Sequence, residues 1–309
     1  MEPIVASVRA RPGMYIGATD EQGLHHLVWL CLDACVDGSH PKNLELRVDR
    51  EGGLIIRAAI DRFDATLRGL LEKGRLRAPG SPADELVIAS ALSRRFFIAW
   101  AGEEPWSWAG REGAPASDVV PPEPAEGLTI ALAPDPAIFQ QPLFNRAHLK
   151  HRLRELAALY PPCRCTFFEE LTGALETVCL PHGLEAFVDE ICGVRGTLDR
   201  PFSAETMLGE VRVRVAVQSL KGQREPQVVS WANTVRTHGG GTHVTGLLTA
   251  FQRAVGPING LPVGAIAVEA PRTMLNYRGP TKNVLAVEGL ELKIANWLEP
   301  LLREAFDRG

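Results

Sequence analysis

The chain has 309 residues, of which 45% are hydrophobic and 23% charged, a composition that fits an ordinary soluble globular protein of two domains. It contains no apolar run long enough to cross a bilayer and no signal-like start, so we expect a cytoplasmic protein with no membrane partner. The net charge of -4 argues against a protein that coats nucleic acid over its whole surface, although Arg94 and Arg95 leave room for a local basic patch.

Residues 8–37 combine a turn, a short extended piece and a helix. The RPG sequence at 11–13 predicts the turn, and the four residues after it are expected to be extended. Thr19 and Gln22 stand at capping-box spacing, and apolar residues then recur at steps of three and four, which predicts a helix to about Asp37. The apolar face consists of Leu24, Leu27, Val28, Cys31, Leu32 and Cys35.

Two motifs in this stretch carry a resemblance to a known family. Residues 9–17 (RARPGMYIG) and 23–28 (GLHHLV) resemble the ATPase domain of gyrase B and its topoisomerase IV counterpart, which belong to the GHKL or Bergerat-fold ATPases. The resemblance implies an α+β protein of two domains. The first, at 1–172, would be a degenerate Bergerat-type α/β sandwich, and the second, at 173–309, a ribosomal S5 domain 2-like transducer domain.

The same resemblance assigns a role to two positions of the first helix. In the family, one holds a Glu that activates the attacking water, and the other, four residues later, holds an Asn that binds Mg²⁺. Here these positions are Leu30 and Ala34, and no Glu occurs between Gln22 and Asp37. Residues four apart share a helix face, so this face presents hydrocarbon where the reaction needs a base and a metal ligand. We therefore expect no catalytic residue and no metal site here.

The next two strands are expected to form a hairpin at 43–48 and 54–60. In the family, the second strand ends in an Asp that binds the adenine amino group, followed by a glycine-rich turn. The alignment places Ala58 and Ile60 there, with Arg62 close behind. A methyl group cannot accept the hydrogen bond, and the larger side chains fill space that the purine needs. The resemblance therefore implies a degenerate adenine pocket.

Residues 86–93 (LVIASALS) match the helix behind the family's ATP lid, which normally follows a glycine-rich loop that holds the phosphates. Here the preceding residues are 82–85, reading PADE. Proline has no N–H to donate, and Asp84 and Glu85 would repel a triphosphate, whereas both acids suit the positive end of a helix as caps. No cofactor is therefore predicted, and ATP with Mg²⁺ is the alternative.

The remainder of the first domain is expected to contain strands at 95–100 and 128–132, an exposed loop at 114–127, a helix at 152–159 that matches the family's RLRELxxL helix, and a final strand at 163–169. The six cysteines are Cys31, Cys35, Cys163, Cys165, Cys179 and Cys192. No two pairs share CxxC spacing, so reduced thiols are favoured over a metal site.

The second domain is expected to begin with a helix at 182–188 that resembles the family's linker helix. Strict alternation predicts a half-buried strand at 210–220 that pairs with a strand at 227–235, and a further strand follows at 264–270. The segment NTVRTHGGGTHVTG resembles the transducer signature NN-x-x-T-x-x-GGTH-x-x-G. Its glycines allow a tight turn into a helix, and Thr242 is the expected cap of that helix.

Lys282 is a weak candidate for cofactor binding. The segment Pro280, Thr281 and Lys282 stands where the family places a Gln-Thr-Lys loop whose Lys contacts the γ-phosphate. The Lys is retained and the Gln is replaced by proline. The alternative is a solvated lysine at the start of a helix expected at 283–306.

Three hypotheses of function follow. The first is a catalytically inactive gyrase B-like protein, a pseudo-ATPase that binds or regulates gyrase or topoisomerase IV subunits or DNA. The second is a divergent family member that still binds or slowly hydrolyses ATP, with Asp33 or Asp37 as metal ligand. The third is a small-molecule binder that uses the cleft made apolar by Leu30, Ala34 and Ala58.

Two features that the family's whole subunits possess have no match in this sequence. One is the TOPRIM domain, so we expect no topoisomerase activity from this chain by itself. The other is the arm before Val8 that gyrase subunits exchange when the ATP clamp dimerises. We therefore expect no nucleotide-driven dimer.

Overall fold

The computed structural model divides the chain into two compact units, Met1–Cys179 and Leu180–Gly309. It describes residues 4–36, 39–63, 66–76, 81–102, 104–120, 122, 126–140, 143–195, 198, 200–256, 260–278 and 282–307. None of the helices in these ranges is both long and apolar enough to span a bilayer. All six cysteines carry free thiols.

The first unit contains six helices and eight strands in the ranges described. They are α1 (Ile4–Ala10), α2 (Gly13–Ile16), α3 (Glu21–Val36), β1 (Asn43–Val48), β2 (Leu54–Ala58), α4 (Leu67–Lys73), α5 (Pro82–Ala91), β3 (Ser93–Trp100), β4 (Trp106–Arg111), β5 (Ala114–Pro115), β6 (Leu128–Pro134), α6 (Arg146–Leu159), β7 (Arg164–Glu169) and β8 (Ala174–Cys179).

These strands form one sheet in the order β5-β4-β3-β6-β2-β1-β7-β8. Neighbours are antiparallel except β1 and β7, which run parallel. Alternate residues of the central strands are fully buried, as in the Leu54, Ile56 and Ala58 series of β2. Helix α3 contacts α5, β2 and β6, and α6 contacts β7 and β8. The result is an α/β sandwich, and the hairpin predicted at 43–48 and 54–60 is confirmed.

The start of the chain differs from the prediction in two ways. Residues 13–16 form helix α2 rather than an extended piece, because Pro12 already has helical φ and ψ and Gly17, at φ 81°, ends the turn. The cap of α3 is Asp20 rather than Thr19. Its Oδ1 accepts the N–H groups of Gln22 at 2.9 Å and Gly23 at 3.3 Å.

The boundary of the first unit also differs from the expected one at residue 172. The strand predicted at 163–169 is present as β7, but it is not the last, because β8 pairs with it along the whole of 174–179. The hydrogen bonds of that hairpin hold β8 in the first sheet, so the unit continues to Cys179.

The second unit contains three α-helices and seven strands in the ranges described, besides short 3₁₀ helices at Gly193–Arg195 and Arg272–Met274. They are α7 (Leu184–Cys192), β9 (Phe202–Leu208), β10 (Val211–Leu220), β11 (Gln227–Ala232), β12 (Val235–Arg236), α8 (Thr242–Ala254), β13 (Leu261–Glu269), β14 (Tyr277–Arg278), β15 (Val284–Leu285) and α9 (Leu290–Asp307).

Five of these strands form a sheet in the order β12-β11-β13-β10-β9. The expected pairing of β10 with the strand at 227–235 is wrong. Strand β10 lies between β9 and β13, and β11 pairs in parallel with β13. Crossover connections of this kind leave no signal in a local alternation pattern, which reports only burial and spacing.

Helices α8 and α9 pack closely against each other in the core of the second unit. Gly246 allows this approach, since a Cβ built there would lie 2.8 Å from the carbonyl oxygen of Glu291 and 2.8 Å from Cβ of Ile294. Helix α9 begins at Leu290 rather than near residue 283, because 284–285 are taken up by strand β15.

Candidate functional site

Leu30 and Ala34 lie on helix α3, on the side that packs into the first unit. Leu30 is 7% exposed and Ala34 3% exposed, so both have joined the apolar core. Neither side chain holds an atom that could deprotonate water or coordinate a cation. The role of these positions as lost catalytic residues stays a prediction from the resemblance.

Ala58 and Ile60 lie at the end of strand β2 and are 0% and 6% exposed. The N–H of Ile60 donates to the carbonyl of Ala58 at 3.0 Å, which folds the chain tightly after the strand. Gly127 packs against this bend, and a Cβ built there would lie 2.3 Å from the Ala58 oxygen. The backbone is therefore crowded at the place where the resemblance implies an adenine pocket.

Helix α5 begins at Pro82, and Ser81 is its cap. The Oγ of Ser81 accepts the N–H of Asp84 at 3.1 Å and is the cap, while Asp84 and Glu85 lie in the first turn, at the positive end of the helix as expected. Asp84 is 0% exposed and Glu85 is 6% exposed. Both carboxyl groups are thus buried in the first turn of α5, and their effect on phosphate binding stays a prediction.

A buried ion-pair group joins α3 to α6 beside the candidate cleft. Arg152 donates to Asp33 at 2.7 Å and to Glu155 at 2.9 Å, and its guanidinium lies 5.8 Å from the Trp29 ring. Burial alone would lower the pKa of Arg152, but the two carboxylates outweigh it and raise that pKa above its ordinary value. Asp33 is thus paired with a buried arginine, and its role as the metal ligand of the second hypothesis stays a prediction; Asp37 lies outside the described residues.

Glu21, His25 and His148 are the group, within the described ranges, whose donor atoms could gather around a metal ion. One donor atom from each residue lies within 4.8 Å of the others. His25, however, already uses its Nε2 to accept the N–H of Asn145 at 3.1 Å. Burial first, and then His148, lower the pKa of His25, so the neutral ring that accepts this bond is favoured. The contacts of this group connect α3 to the start of α6.

Lys282 lies in the second unit with φ at 54°, a conformation that is uncommon for lysine. Its side chain is half-buried and it precedes β15, so the part of the alternative that placed it at the start of a helix is wrong. Pro280 and Thr281 lie outside the described residues. The suggested contact of Lys282 with a γ-phosphate stays a prediction.

The glycine-rich junction of the second unit contains a polar network that no residue spacing predicted. Ser230 Oγ lies 2.7 Å from Thr237 Oγ1, which lies 3.1 Å from His243 Nε2. His243 is fully buried, and burial lowers its pKa to about 4. Thr242 is not a cap; its Oγ1 accepts the N–H of Val287 at 3.3 Å, and Gly241 precedes the helix.

A cavity of about 390 Å³ opens on the side of the first sheet away from α3 and α5. Its floor is apolar, with Ile55, Phe97, Val119 and Ala131 among the lining residues. Charges of both signs surround it, and Arg95 is engaged by Glu51 at 2.7 Å. The mixed charge selects no class of ligand.

Comparisons with known proteins agree with this architecture. The family model described as DNA gyrase B matches residues 183–258. The gyrase B protein of Streptococcus pneumoniae is 29% identical in an alignment of 283 positions, gaps included, that covers 81% of this chain and 43% of the relative. The corresponding topoisomerase 4 protein of Bacillus subtilis is 25% identical in an alignment of 337 positions, gaps included, that covers 90% of this chain and 49% of the relative.

Two solved structures have the same fold. Gyrase B from Myxococcus xanthus superposes with a TM-score of 0.85 at 30% identity, covering 97% of this chain and 95% of that chain. The 43K ATPase domain of Thermus thermophilus gyrase B, solved in complex with an aminocoumarin, superposes with a TM-score of 0.79 at 22% identity, covering 99% and 90%. A GHKL-type sandwich followed by a transducer domain therefore defines the class of fold.

The chain belongs to the DNA gyrase B family. It spans about half the length of the curated relatives that it matches, as the shares of 43% and 49% show. The predicted resemblance and the predicted α+β fold class are both confirmed.

Proposed function

We propose that this chain is a pseudo-ATPase of the gyrase B family, whose role is to bind or regulate a macromolecular partner through the family's two-unit scaffold. One observation carries the proposal. Leu30 and Ala34, at the positions implied to hold the base and the Mg²⁺ ligand, are hydrocarbon side chains that are 7% and 3% exposed. A change of rotamer cannot make either of them a base or a metal ligand.

The surroundings of these positions support the same proposal. Ala58 and Ile60 are at most 6% exposed, so protein atoms already cover the surface that a purine would touch. The buried acids Asp84 and Glu85 add negative charge at the start of α5, where a triphosphate would need positive charge. Base, metal and phosphate recognition would therefore all be weak.

The partner that we propose is a gyrase or topoisomerase IV subunit, or DNA. The gyrase B and topoisomerase 4 relatives motivate this class of partner. The elements that build the scaffold are retained, including α2, α6 and the glycine-rich junction before α8. Titration of the purified chain with purified gyrase and topoisomerase IV subunits, and separately with duplex DNA, tests the proposal by calorimetry. If none of these binds at micromolar concentration, the partner role is refuted.

An ATPase assay tests the catalytic half of the proposal. We expect no hydrolysis above background in highly purified protein, because nothing at Leu30 or Ala34 activates water or holds Mg²⁺. Lys282→Ala should leave the signal at background, as should the exposed control Lys293→Ala on α9. Turnover that survives purification and is lost in Lys282→Ala alone would establish the divergent-ATPase hypothesis instead.

A further inference from the structure

Strand β8 forms one edge of the eight-stranded sheet, with β7 as its neighbour on the inner side. Five of its six residues are exposed and Val178 is half-buried, so both of its faces meet water. Leu175 is 68% exposed, and Leu171 in the turn before the strand is 70% exposed. An edge of this kind offers backbone N–H and C=O groups to another strand.

The usual protection of a sheet edge is missing from β8. Proline, lysine and a β-bulge commonly prevent edge pairing, and the sequence ALETVC with its regular register against β7 contains none of them. Its one charged residue, Glu176, is neutralised by Lys150 at 2.7 Å. The strand is therefore an extended, nearly neutral segment.

The other sheet edges of the described chain differ from β8. Strands β5, β12, β14 and β15 have two residues each, and β5 ends in Pro115. Strand β9 has seven residues, but every second one is half-buried, whereas five of the six residues of β8 are exposed. A partner strand for β8 must be extended, unprotected and low in charge, and the described chain offers β8 itself.

We propose that two copies of this chain associate by antiparallel pairing of β8 with β8 of the second copy. Antiparallel pairing of identical strands is isologous, so a single two-fold axis closes the dimer. We expect the two-fold axis to pass beside Thr177, so that residues 175–179 of one copy run antiparallel to the same residues of the other and form about five residue pairs. An axis at Glu176 would place like charges opposite each other, and one at Leu175 or Val178 would shorten the pairing to about three residues.

In this register, the side chains of one copy face compatible side chains of the other copy. Thr166 Oγ1 already lies 3.2 Å from Thr177 Oγ1 across β7 and β8, so the axis continues a threonine ladder into the second copy. Leu175 stands opposite Cys179 of the other copy, and Glu176 stands opposite Val178. No pair of like charges results, so the strand is complementary to itself.

Cysteine cross-linking of the full chain tests this register. In a Cys179→Ser background, Thr177→Cys places one thiol on each side of the axis, within the Cα separation that a disulfide allows. With oxidised glutathione as oxidant, two thiols lose two electrons and two protons and form one S–S bond. We expect a covalent dimer on a non-reducing gel.

Two matched variants make the result specific. Leu175→Cys in the Cys179→Ser background should give no covalent dimer, since its two thiols would be about 14 Å apart along the paired strands. Leu175→Cys with the native Cys179 should cross-link, because these positions face each other. If Thr177→Cys in the Cys179→Ser background gives no more dimer than Leu175→Cys in that background, the proposed pairing is wrong. The readout needs no nucleotide, so it fails or succeeds independently of the ATPase assay.

Discussion

The surroundings of Leu30 in the first unit and the glycine-rich junction of the second unit differ in which of their buried positions hold polar side chains. Around Leu30, the positions implied to bind nucleotide are hydrocarbon, and the nearby polar residues Asp33 and Arg152 are tied to each other. At the junction, Ser230 and His243 remain polar and buried, linked through Thr237. Polar groups have been kept where they hold the backbone together.

Breaking the buried ion-pair group of the first unit should have the largest effect on stability. Arg152→Ala leaves Asp33 and Glu155 buried without their counter-charge, so we expect a loss of about 3–5 kcal/mol in the free energy of unfolding. Urea unfolding followed by circular dichroism measures it. Arg154→Ala, an exposed site two residues away, is the control and should change stability by less than about 1 kcal/mol. Equal effects of the two variants would contradict the role given to Arg152.

The pH dependence of the second unit should give the next largest effect. The pKa of His243 is about 4 in the folded state and 6.5 in the unfolded chain, so the unfolded state binds more protons between these values. Stability from this group is present above pH 6.5 and is lost as pH falls toward 4, by about 3 kcal/mol in total.

His243→Gln removes this titration and leaves the carboxyl groups unchanged. We measure the free energy of unfolding of wild type and variant by urea unfolding at each pH. The difference between the two values should change as pH falls from 6.5 to 4 and should be constant above pH 6.5. Parallel curves would mean that His243 is protonated without cost, which its burial contradicts.

Replacing glycine by alanine should destabilise the protein at Gly246 in the second unit and stabilise it at Gly69 in the first unit. Gly246→Ala places a methyl group 2.8 Å from Glu291 and Ile294, so we expect a loss of about 1–3 kcal/mol as α8 and α9 move apart. Gly69→Ala on α4 meets no atom within 4 Å and should stabilise by about 0.5–1 kcal/mol through helix propensity. Thermal unfolding of both variants provides the measurement, and a stabilised Gly246→Ala would show that the helices are not in tight contact.

ATP should produce the smallest effect. We expect the dissociation constant of this protein for ATP to lie above about 1 mM. At about 1 mM, Mg-ATP would then raise the free energy of unfolding by no more than about 0.4 kcal/mol. A thermal-shift titration detects this limit, with ADP and Mg²⁺ alone as controls. A shift of several degrees that saturates at micromolar ATP would show that the first unit keeps a nucleotide site despite Ala58 and Leu30.

Local patterns predicted the strands and helices well, but not how they are arranged. The three- and four-residue spacing of α3 and the alternation of β10 report burial, and both elements were confirmed. The partner of β10 and the existence of β8 depend on contacts distant in sequence, which spacing does not encode. β8 is also exposed on both faces, so it lacks the alternation that marks a half-buried strand.

Of the candidate site, only the residues that replace the family's catalytic and binding residues could be predicted from the sequence. Leu30, Ala34 and Ala58 could be recognised because a resemblance assigned the positions, and their burial followed once the fold was known. The network of Ser230, Thr237 and His243 was missed, since serine and threonine carry no spacing signal of their own. The glycines and histidine of the GGTH segment were the available indication that buried polar contacts would lie there.

The hydrogen bond from the Asn145 amide to His25 has a consequence for hydrogen exchange. Asn145 precedes α6, and an amide at a helix start normally faces water and exchanges within seconds or faster. Here the proton lies against a buried imidazole, so exchange requires α6 to separate from α3. A single slowly exchanging amide at 145 would therefore report how often these two helices part, without any probe in the core.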